Sequence, residues 1–296
     1  MQDTVVLARG LKAEGEEAMD KYEWERAIDL FQKSLTYITD EKEKASILYL
    51  LGKCYHSLMN LDRARDYYEK SLRIAKDFDD REGIAANMNN LAGIYYIRGD
   101  LDKALEYLKE ALKITREIGN KEDEARTLGN IGVIYQTRGD LDKALEYHKE
   151  ALKITREIGN KEDEARTLGN IGLIYLTRGD LDKALEYLEE ALKITREIGN
   201  KEDEARTLGN IGLIYQTRGD LDKALEYHKE ALKIDKEIGN KEGEAQDLGN
   251  IGLIYAERGE KDKALNCLNQ ALEIFKQIGA KREIEIIENN IRRLKD

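Results

Sequence analysis

The 296-residue chain has no proline, two cysteines, one tryptophan and three phenylalanines. Without proline, no residue removes a helical amide donor, and the abundant Ala, Leu, Glu, Lys and Arg point to helix almost throughout. Cys54 and Cys267 lie far apart and belong to no metal-ligand spacing. Neither a disulfide framework nor a zinc site is expected, no cofactor is called for, and a reducing, cytoplasmic location fits best. Long apolar runs are also missing, so no membrane partner is expected. The opening MQDTVVLARGLKAEGEEAM interrupts its one apolar run at Ala8-Arg9-Gly10 and lacks a basic leader. It reads as a first helix rather than a secretion signal. A basic surplus is missing as well: 60 acidic against 49 basic residues leave a net charge of −11. Because each basic residue has acidic neighbours, a nucleic-acid partner is not expected.

What the sequence does contain is repetition. TREIGNKEDEARTLGNIG stands at 115–132, 155–172 and 195–212, an interval of 40 residues, with weaker copies on both sides. Within one unit, Leu101, Ala104, Leu105, Leu108, Ala111, Leu112 and Ile118 follow the spacing of a helix with one buried stripe. Ala125, Leu128, Ile131, Gly132 and Tyr135 then mark a second, more enclosed helix.

Two turn sequences separate the helices, Ile-Gly-Asn and Arg-Gly-Asp, the latter beginning at residues 98, 138, 178 and 218. Arg-Gly-Asp out of context suggests adhesion, but its place in the period predicts punctuation. Gly99 and Gly119 fall one position past a helix end, where a left-handed backbone is needed and glycine adopts it without steric penalty. Asp100 and Asn120 are placed to cap the next helix, and Asp123 adds an acidic first turn. The corresponding triplets Leu58-Met59-Asn60 and Arg258-Gly259-Glu260 keep capping or acidic character while losing the adhesion motif.

Leu-Gly-x-x-Tyr in one helix and Gly-Asp-Leu-Asp-Lys-Ala-Leu-Glu-Tyr across the turn resemble the tetratricopeptide repeat (TPR). The family's small residue is matched by Gly15, Gly52, Ala92, Gly132, Gly172, Gly212 and Gly252, and its alanine by Ala27, Ala64, Ala104, Ala144, Ala184, Ala224 and Ala264. The resemblance implies an all-α, right-handed α-solenoid superhelix of seven helix-turn-helix repeats, at about 4–40, 41–80, 81–120, 121–160, 161–200, 201–240 and 241–280, closed by a capping helix over 281–295. The family unit has about 34 residues and ends in proline. Here the units are longer, as in Pins-type adaptors, kinesin light chains and Rap-type regulators, so each helix should gain about one turn. Trp24 stands where other units carry Leu, as befits a terminal repeat.

In such arrays the first helix of each unit lines the concave face. Carrying over the family's groove positions gives Arg126, Gly129, Asn130, Val133 and Thr137 in the fourth unit, Arg166, Asn170, Leu173 and Thr177 in the fifth, and Arg206, Asn210, Leu213 and Thr217 in the sixth. Asn90, Asn250 and Leu253 extend the ladder. An asparagine amide both donates and accepts, so it can grip an extended peptide backbone; the aliphatic residues could take apolar side chains and the arginines carboxylates. The alternative is that these asparagines only join neighbouring helices and recur through duplication.

His148 and His228 replace Leu at one core-facing position and read as semi-buried packing residues; Tyr95, Tyr135 and Tyr175 read as core. No nucleophile with a base, no paired catalytic carboxylates and no phosphate loop stand out, so an enzyme is not expected. The resulting expectation is a non-catalytic scaffold that binds a protein or peptide segment carrying acidic and apolar residues, with end-to-end self-association through exposed terminal helices. The competing readings are a sensor that changes pitch on binding a signal peptide and a recently amplified or engineered array without a dedicated ligand.

Overall fold

The computed structural model describes residues 2–295, and among them every regular element is an α-helix. These are α1 (Gln2–Asp20), α2 (Trp24–Tyr37), α3 (Glu41–Ser57), α4 (Leu61–Asp77), α5 (Arg81–Ile97), α6 (Leu101–Ile118), α7 (Lys121–Thr137), α8 (Leu141–Ile158), α9 (Lys161–Thr177), α10 (Leu181–Ile198), α11 (Lys201–Thr217), α12 (Leu221–Ile238), α13 (Lys241–Glu257), α14 (Lys261–Ile278) and α15 (Lys281–Lys295). The helices form two compact units, residues 1–154 and 155–296, with the boundary inside α8. In the first, α1/α2, α3/α4 and α5/α6 are helical hairpins followed by α7 and α8; in the second, the hairpins are α9/α10, α11/α12 and α13/α14, with α15 packed on α14. Each unit is therefore a stack of hairpins in an all-α solenoid. No helix among the described residues is long and apolar enough to cross a membrane.

Both turns close through backbone geometry that the sequence specifies. Gly99 has φ +79°, its amide donates to the Tyr96 carbonyl at 2.9 Å, and the Asp100 amide reaches back to the Tyr95 carbonyl at 2.9 Å. This satisfies carbonyls left over at the helix end. The Asp100 carboxylate then accepts from the Lys103 amide at 3.1 Å, so the same residue ends one helix and starts the next. The arginine of the tripeptide reaches back to the preceding hairpin: Arg98 meets Asp62 at 2.6 Å, and Arg138, Arg218 and Arg258 pair with Asp102, Asp182 and Asp222. Every residue of Arg-Gly-Asp is thus occupied structurally. At the other turn Gly119 has φ +71°, and Asn120 accepts from the Asp123 amide at 3.0 Å. Glu260 departs from the expected capping role: its side chain makes no cap hydrogen bond and pairs instead with Lys263. The extra methylene of glutamate moves its carboxylate out of the short reach that Asp and Asn have at a cap.

The hairpins close where a small residue of the first helix meets a large one of the second. A β-carbon added at Gly132 would lie 2.7 Å from His148 Nε2, at Gly172 2.7 Å from Leu188 Cγ, and at Gly52 2.6 Å from Tyr68 Cδ1. Glycine inside a helix costs about 1 kcal/mol against alanine, and the close approach of two packed helices offsets it. Next to this contact, Tyr95 stacks on Tyr107 at 5.6 Å and Tyr135 on Tyr147 at 5.4 Å, with Lys103 and Lys143 over the Tyr95 and Tyr135 rings. Tyr95, Tyr135 and Tyr175 are core, as the spacing predicts, while Tyr107 and Tyr147 are half-buried. His148 and His228, expected to be half-buried, are fully buried, because this position faces the packing glycine directly.

Three buried glutamates are each paired with an arginine and a lysine. Glu124 is 4% exposed and receives Arg116 at 2.9 Å and Lys121 at 2.8 Å; Glu164 and Glu204 repeat this with Arg156 and Lys161, and with Arg196 and Lys201. Burial alone would raise these carboxyl pKa values, but the hydrogen bonds from lysine and arginine outweigh it and hold them below the usual range. At the far end Ile287 and Ile291 of α15 are buried with Leu268 and Phe275 of α14, while Arg292 and Arg293 face outward, the arrangement expected of a capping helix.

Two substitutions test this account. Tyr22, Met59 and Asp79 hold positive φ without being glycine, Met59 at 56°. Met59→Gly should therefore raise stability by about 1 kcal/mol, read as an upward shift of the urea midpoint. His148 has no hydrogen-bond partner on either ring nitrogen, and burial depresses its pKa to about 4. The unfolded chain, with an ordinary histidine near pH 6.5, binds more protons between these values, so His148 removes stability as pH falls through that window. His148→Leu should stabilise by about 1–3 kcal/mol at pH 7, and the gain should grow between pH 6.5 and 4 in denaturation series.

Candidate peptide-binding face

First helices of successive hairpins lie side by side, α5 against α7 in one unit and α9, α11 and α13 in the other. Each unit thus has a face built from first helices alone. In the first, Asn89 and Thr127 exchange a buried hydrogen bond at 3.0–3.1 Å, and Tyr96 bonds Thr137 at 3.2 Å. In the second, Gln216 of α11 donates to Glu257 of α13 at 2.6 Å.

The expected groove residues separate into three groups. Asn130, Asn170, Asn210 and Asn250 lie on this face at the surface or half-buried, and their amides make no hydrogen bond to another described residue. Val133, Leu173, Leu213 and Leu253 are half-buried beside them. Asn90 is different: its amide donates to the Tyr49 hydroxyl at 3.1 Å and the Ala86 carbonyl at 2.9 Å, so it joins α3 to α5. The hydroxyls of Thr137, Thr177 and Thr217 donate to carbonyls of their own helices at Val133, Leu173 and Leu213. Arg126 is held by Asp123 at 2.5 Å, Arg166 by Asp163, and Arg206 by Asp203 at 2.6 Å. The spacing of three residues that places them on one stripe also places an aspartate within reach. The arginines are consequently paired cations.

Hollows open on these faces between neighbouring first helices. In the first unit, one of about 160 Å³ lies between α5 and α7, with Gly93, Tyr96, Asn130 and Val133 in its wall. In the second unit, a small one of about 60 Å³ lies between α9 and α11, lined by Arg166, Asn170, Leu173, Asp203, Arg206 and Asn210 among others. The next, of about 300 Å³, lies between α11 and α13 and includes Arg206, Asn210, Leu213, Asp235, Asp247 and Asn250. An added β-carbon at Gly129 or Gly169 would meet nothing within 4 Å, so these helix glycines serve no internal packing contact.

The hollow between α11 and α13 contains residues that the repeat pattern did not single out. Asp235, Gly243, Gln246 and Asp247 stand where the preceding unit has Thr195, Asp203, Arg206 and Thr207. Asp235 and Asp247 are buried, and Asp247 Oδ1 lies 2.9 Å from Nδ1 of the buried His228. Asn240 donates to Asp235 at 2.8 Å. Burial pushes the Asp235 carboxyl up to about 6, with Asp247 adding to the shift and Asn240 opposing it; burial also raises Asp247 against the pull of His228. The signal was present as a departure from an otherwise constant unit, but attention to recurring residues passed over it. Among the described residues no cluster of His, Cys, Asp and Glu is arranged to hold a metal ion.

Comparison with known proteins agrees with this geometry. The tetratricopeptide repeat profile matches residues 19–77, 43–117, 83–157, 123–197, 163–237 and 203–277. No curated protein sequence matches significantly. Among solved structures, BtubC (BKLC) from P. vanneervenii is 25% identical, with 74% of this chain and 92% of that one covered and a TM-score of 0.66. The STAND signal transduction ATPase of Pyrococcus horikoshii, which has a tetratricopeptide repeat sensor, is 22% identical over 95% of this chain at a TM-score of 0.75; the match spans 44% of the ATPase chain. The Rap conjugation gene regulator of plasmid pLS20, solved with a Phr peptide, is 19% identical over 95% of this chain and 77% of its own, at a TM-score of 0.67. With the repeat profile matched in overlapping windows from residue 19 to 277 and the packing glycines, turn caps and hairpins described above, the chain belongs to the tetratricopeptide repeat family.

Proposed function

We propose that this protein-interaction fold acts as a scaffold whose first-helix faces bind an extended peptide segment, with no reaction of its own. The observation that carries this reading is the set of unengaged amides of Asn130, Asn170, Asn210 and Asn250, each beside a half-buried aliphatic residue. An unengaged amide on an ordered helix can donate to and accept from a passing peptide backbone, and the aliphatic neighbour can cover an apolar side chain. Gly129 and Gly169, set in open space, let that backbone approach closely. Asn90 has no part in this proposal, because its amide is used internally. An acidic residue of the segment would have to replace Asp123, Asp163 or Asp203 on its arginine, an exchange of one carboxylate for another.

The pLS20 Rap regulator, solved with a peptide, supports this reading by likeness of fold, and in the P. horikoshii ATPase repeats of this kind form a sensor. The unpaired thiols of Cys54 and Cys267 fit a cytoplasmic setting. Val6 and Leu7, exposed on α1, are the apolar residues that end-to-end association would use.

Peptides selected from a randomised display library against the full chain provide the test. Asn170→Ala with Asn210→Ala should weaken the selected peptides about tenfold or more, as expected when hydrogen bonds to a desolvated backbone are lost, with the far-ultraviolet helical signal unchanged. Unaltered affinity, or failure to select any peptide, would remove the assignment. If binding also changes hairpin spacing, the X-ray scattering radius should shift on saturation; a constant radius leaves a rigid scaffold.

A further inference from the structure

The hollow between α11 and α13 differs in charge from its neighbour, although the two are built from the same repeated positions. Relative to the preceding step, Thr195 becomes Asp235, Asp203 becomes Gly243, Arg206 becomes Gln246 and Thr207 becomes Asp247. One cation and one half-buried acid are lost, and two carboxyls are added at depth. Glu202 and Glu242 stand at the same opening, and Arg206, the cation in the lining, is held by Asp203 at 2.6 Å.

These changes depend on one another geometrically. A β-carbon at position 243 would lie 2.3 Å from Asp235 Oδ2 and 2.6 Å from Asn240 Nδ2. The aspartate of the other units therefore cannot coexist with Asp235 in its present place. In those units the cap asparagine donates to that aspartate, as Asn200 does to Asp203 at 3.0 Å; here Asn240 turns to Asp235 instead. His228 fixes Asp247 from behind, through Nδ1.

What the hollow lacks is a countercharge. Every other buried carboxylate pair-site of this kind is served by cations: Glu204 has Arg196 and Lys201, and Glu244 has Lys241 at 2.7 Å with Lys236 at 3.9 Å. Asp235 is 3% exposed and lines the hollow, yet no lysine or arginine among the described residues lies within ion-pair distance of it, and Asp247 has only His228. Two buried acids with a neutral amide and one imidazole are costly to ionise together. A proton can relieve that cost, and so can an ammonium or guanidinium group brought in by a ligand.

We propose that the α11/α13 hollow selects a basic residue, lysine or arginine, of the bound peptide segment and seats its charge against Asp235 and Asp247. This rests on the peptide-binding reading above and adds to it the chemistry of one subsite. It also adds a basic residue at this step to a segment expected to carry acidic and apolar ones. Burial pushes the Asp235 carboxyl up to about 6, and the protonated acid offers a cation no charge, so affinity for a basic segment should rise with pH through that region. Glu202, Glu242 and Arg206 on α11 and α13, and His228 on α12, are the other charged or titratable groups facing the site.

The experiment uses the full chain and capped nonapeptide pools, randomised except for one central residue fixed as lysine, arginine, glutamate or norleucine. The lysine and arginine pools should bind about tenfold more tightly than the norleucine pool at pH 7.5, and lose most of that advantage at pH 5. Asp235→Thr with Asp247→Thr, which restores the residues of the preceding unit, should abolish the preference of the lysine and arginine pools over the norleucine pool. Asp235→Asn alone, which keeps shape and removes charge, should reduce it. Binding of all pools without preference overturns the basic subsite and leaves the peptide-binding reading standing. No binding by any pool overturns both.

Discussion

The structure depends on one contact, made once per hairpin, between a small residue on the first helix, glycine in all units but the third, which has Ala92, and a bulky residue on the second. Gly52 against Tyr68, Gly132 against His148 and Gly172 against Leu188 leave no room for even a methyl group. A helix pair held this closely still has apolar surface on both sides, and covering it by the next pair gives the array its stability. The ion pairs that link successive hairpins at the Arg-Gly-Asp turns sit at the surface, where such pairs contribute little each. They align the stack more than they hold it. The same contact also explains why the large partner can vary among Phe31, Tyr68, Leu188 and His228: the glycine sets the distance, and what fills the remaining space need only be large and buried.

Much of this was legible from residue order because repetition displays each position several times. The period, the two turns, the caps at Asp100 and Asn120 and the packing role of Gly132 follow from rules that act within a few residues of chain. Two features needed coordinates. The burial of His148 depends on what faces it from another helix. The internal use of Asn90, unlike its counterparts, depends on Tyr49 being 41 positions away, where other units carry different residues. The pairing of Arg126 with Asp123 could have been read from their spacing, and was obscured because the family's groove pattern assigns the arginine to a ligand.

The family groove was legible as a stripe, but the stripe is chemically uneven. Threonine hydroxyls that could have faced a ligand are satisfied by carbonyls one turn back, a common fate of threonine within helices. What remains unengaged is the asparagine column and the aliphatic residues beside it, together with glycines that cost helix stability and return no packing. Stability alone does not call for unengaged amides and unpacked glycines in the same stripe, and the proposed peptide contact rests on their coincidence.

Near-identity among units usually hides function, since residues recur whether or not they matter. It also provides an internal reference. Against three copies with Thr115, Thr155 and Thr195, an aspartate at 235 stands out, and against Thr127, Thr167 and Thr207 so does Asp247. Either change alone would place a buried carboxyl in a position built for a hydroxyl, which physical chemistry disfavours. Their joint occurrence, with Gly243 clearing the space and His228 bracing one of them, makes a site that is consistent within itself but incomplete in charge. The packed hairpin tolerates that deficit because the surrounding glycine contact and turn caps are unchanged, so the cost is confined to one hollow.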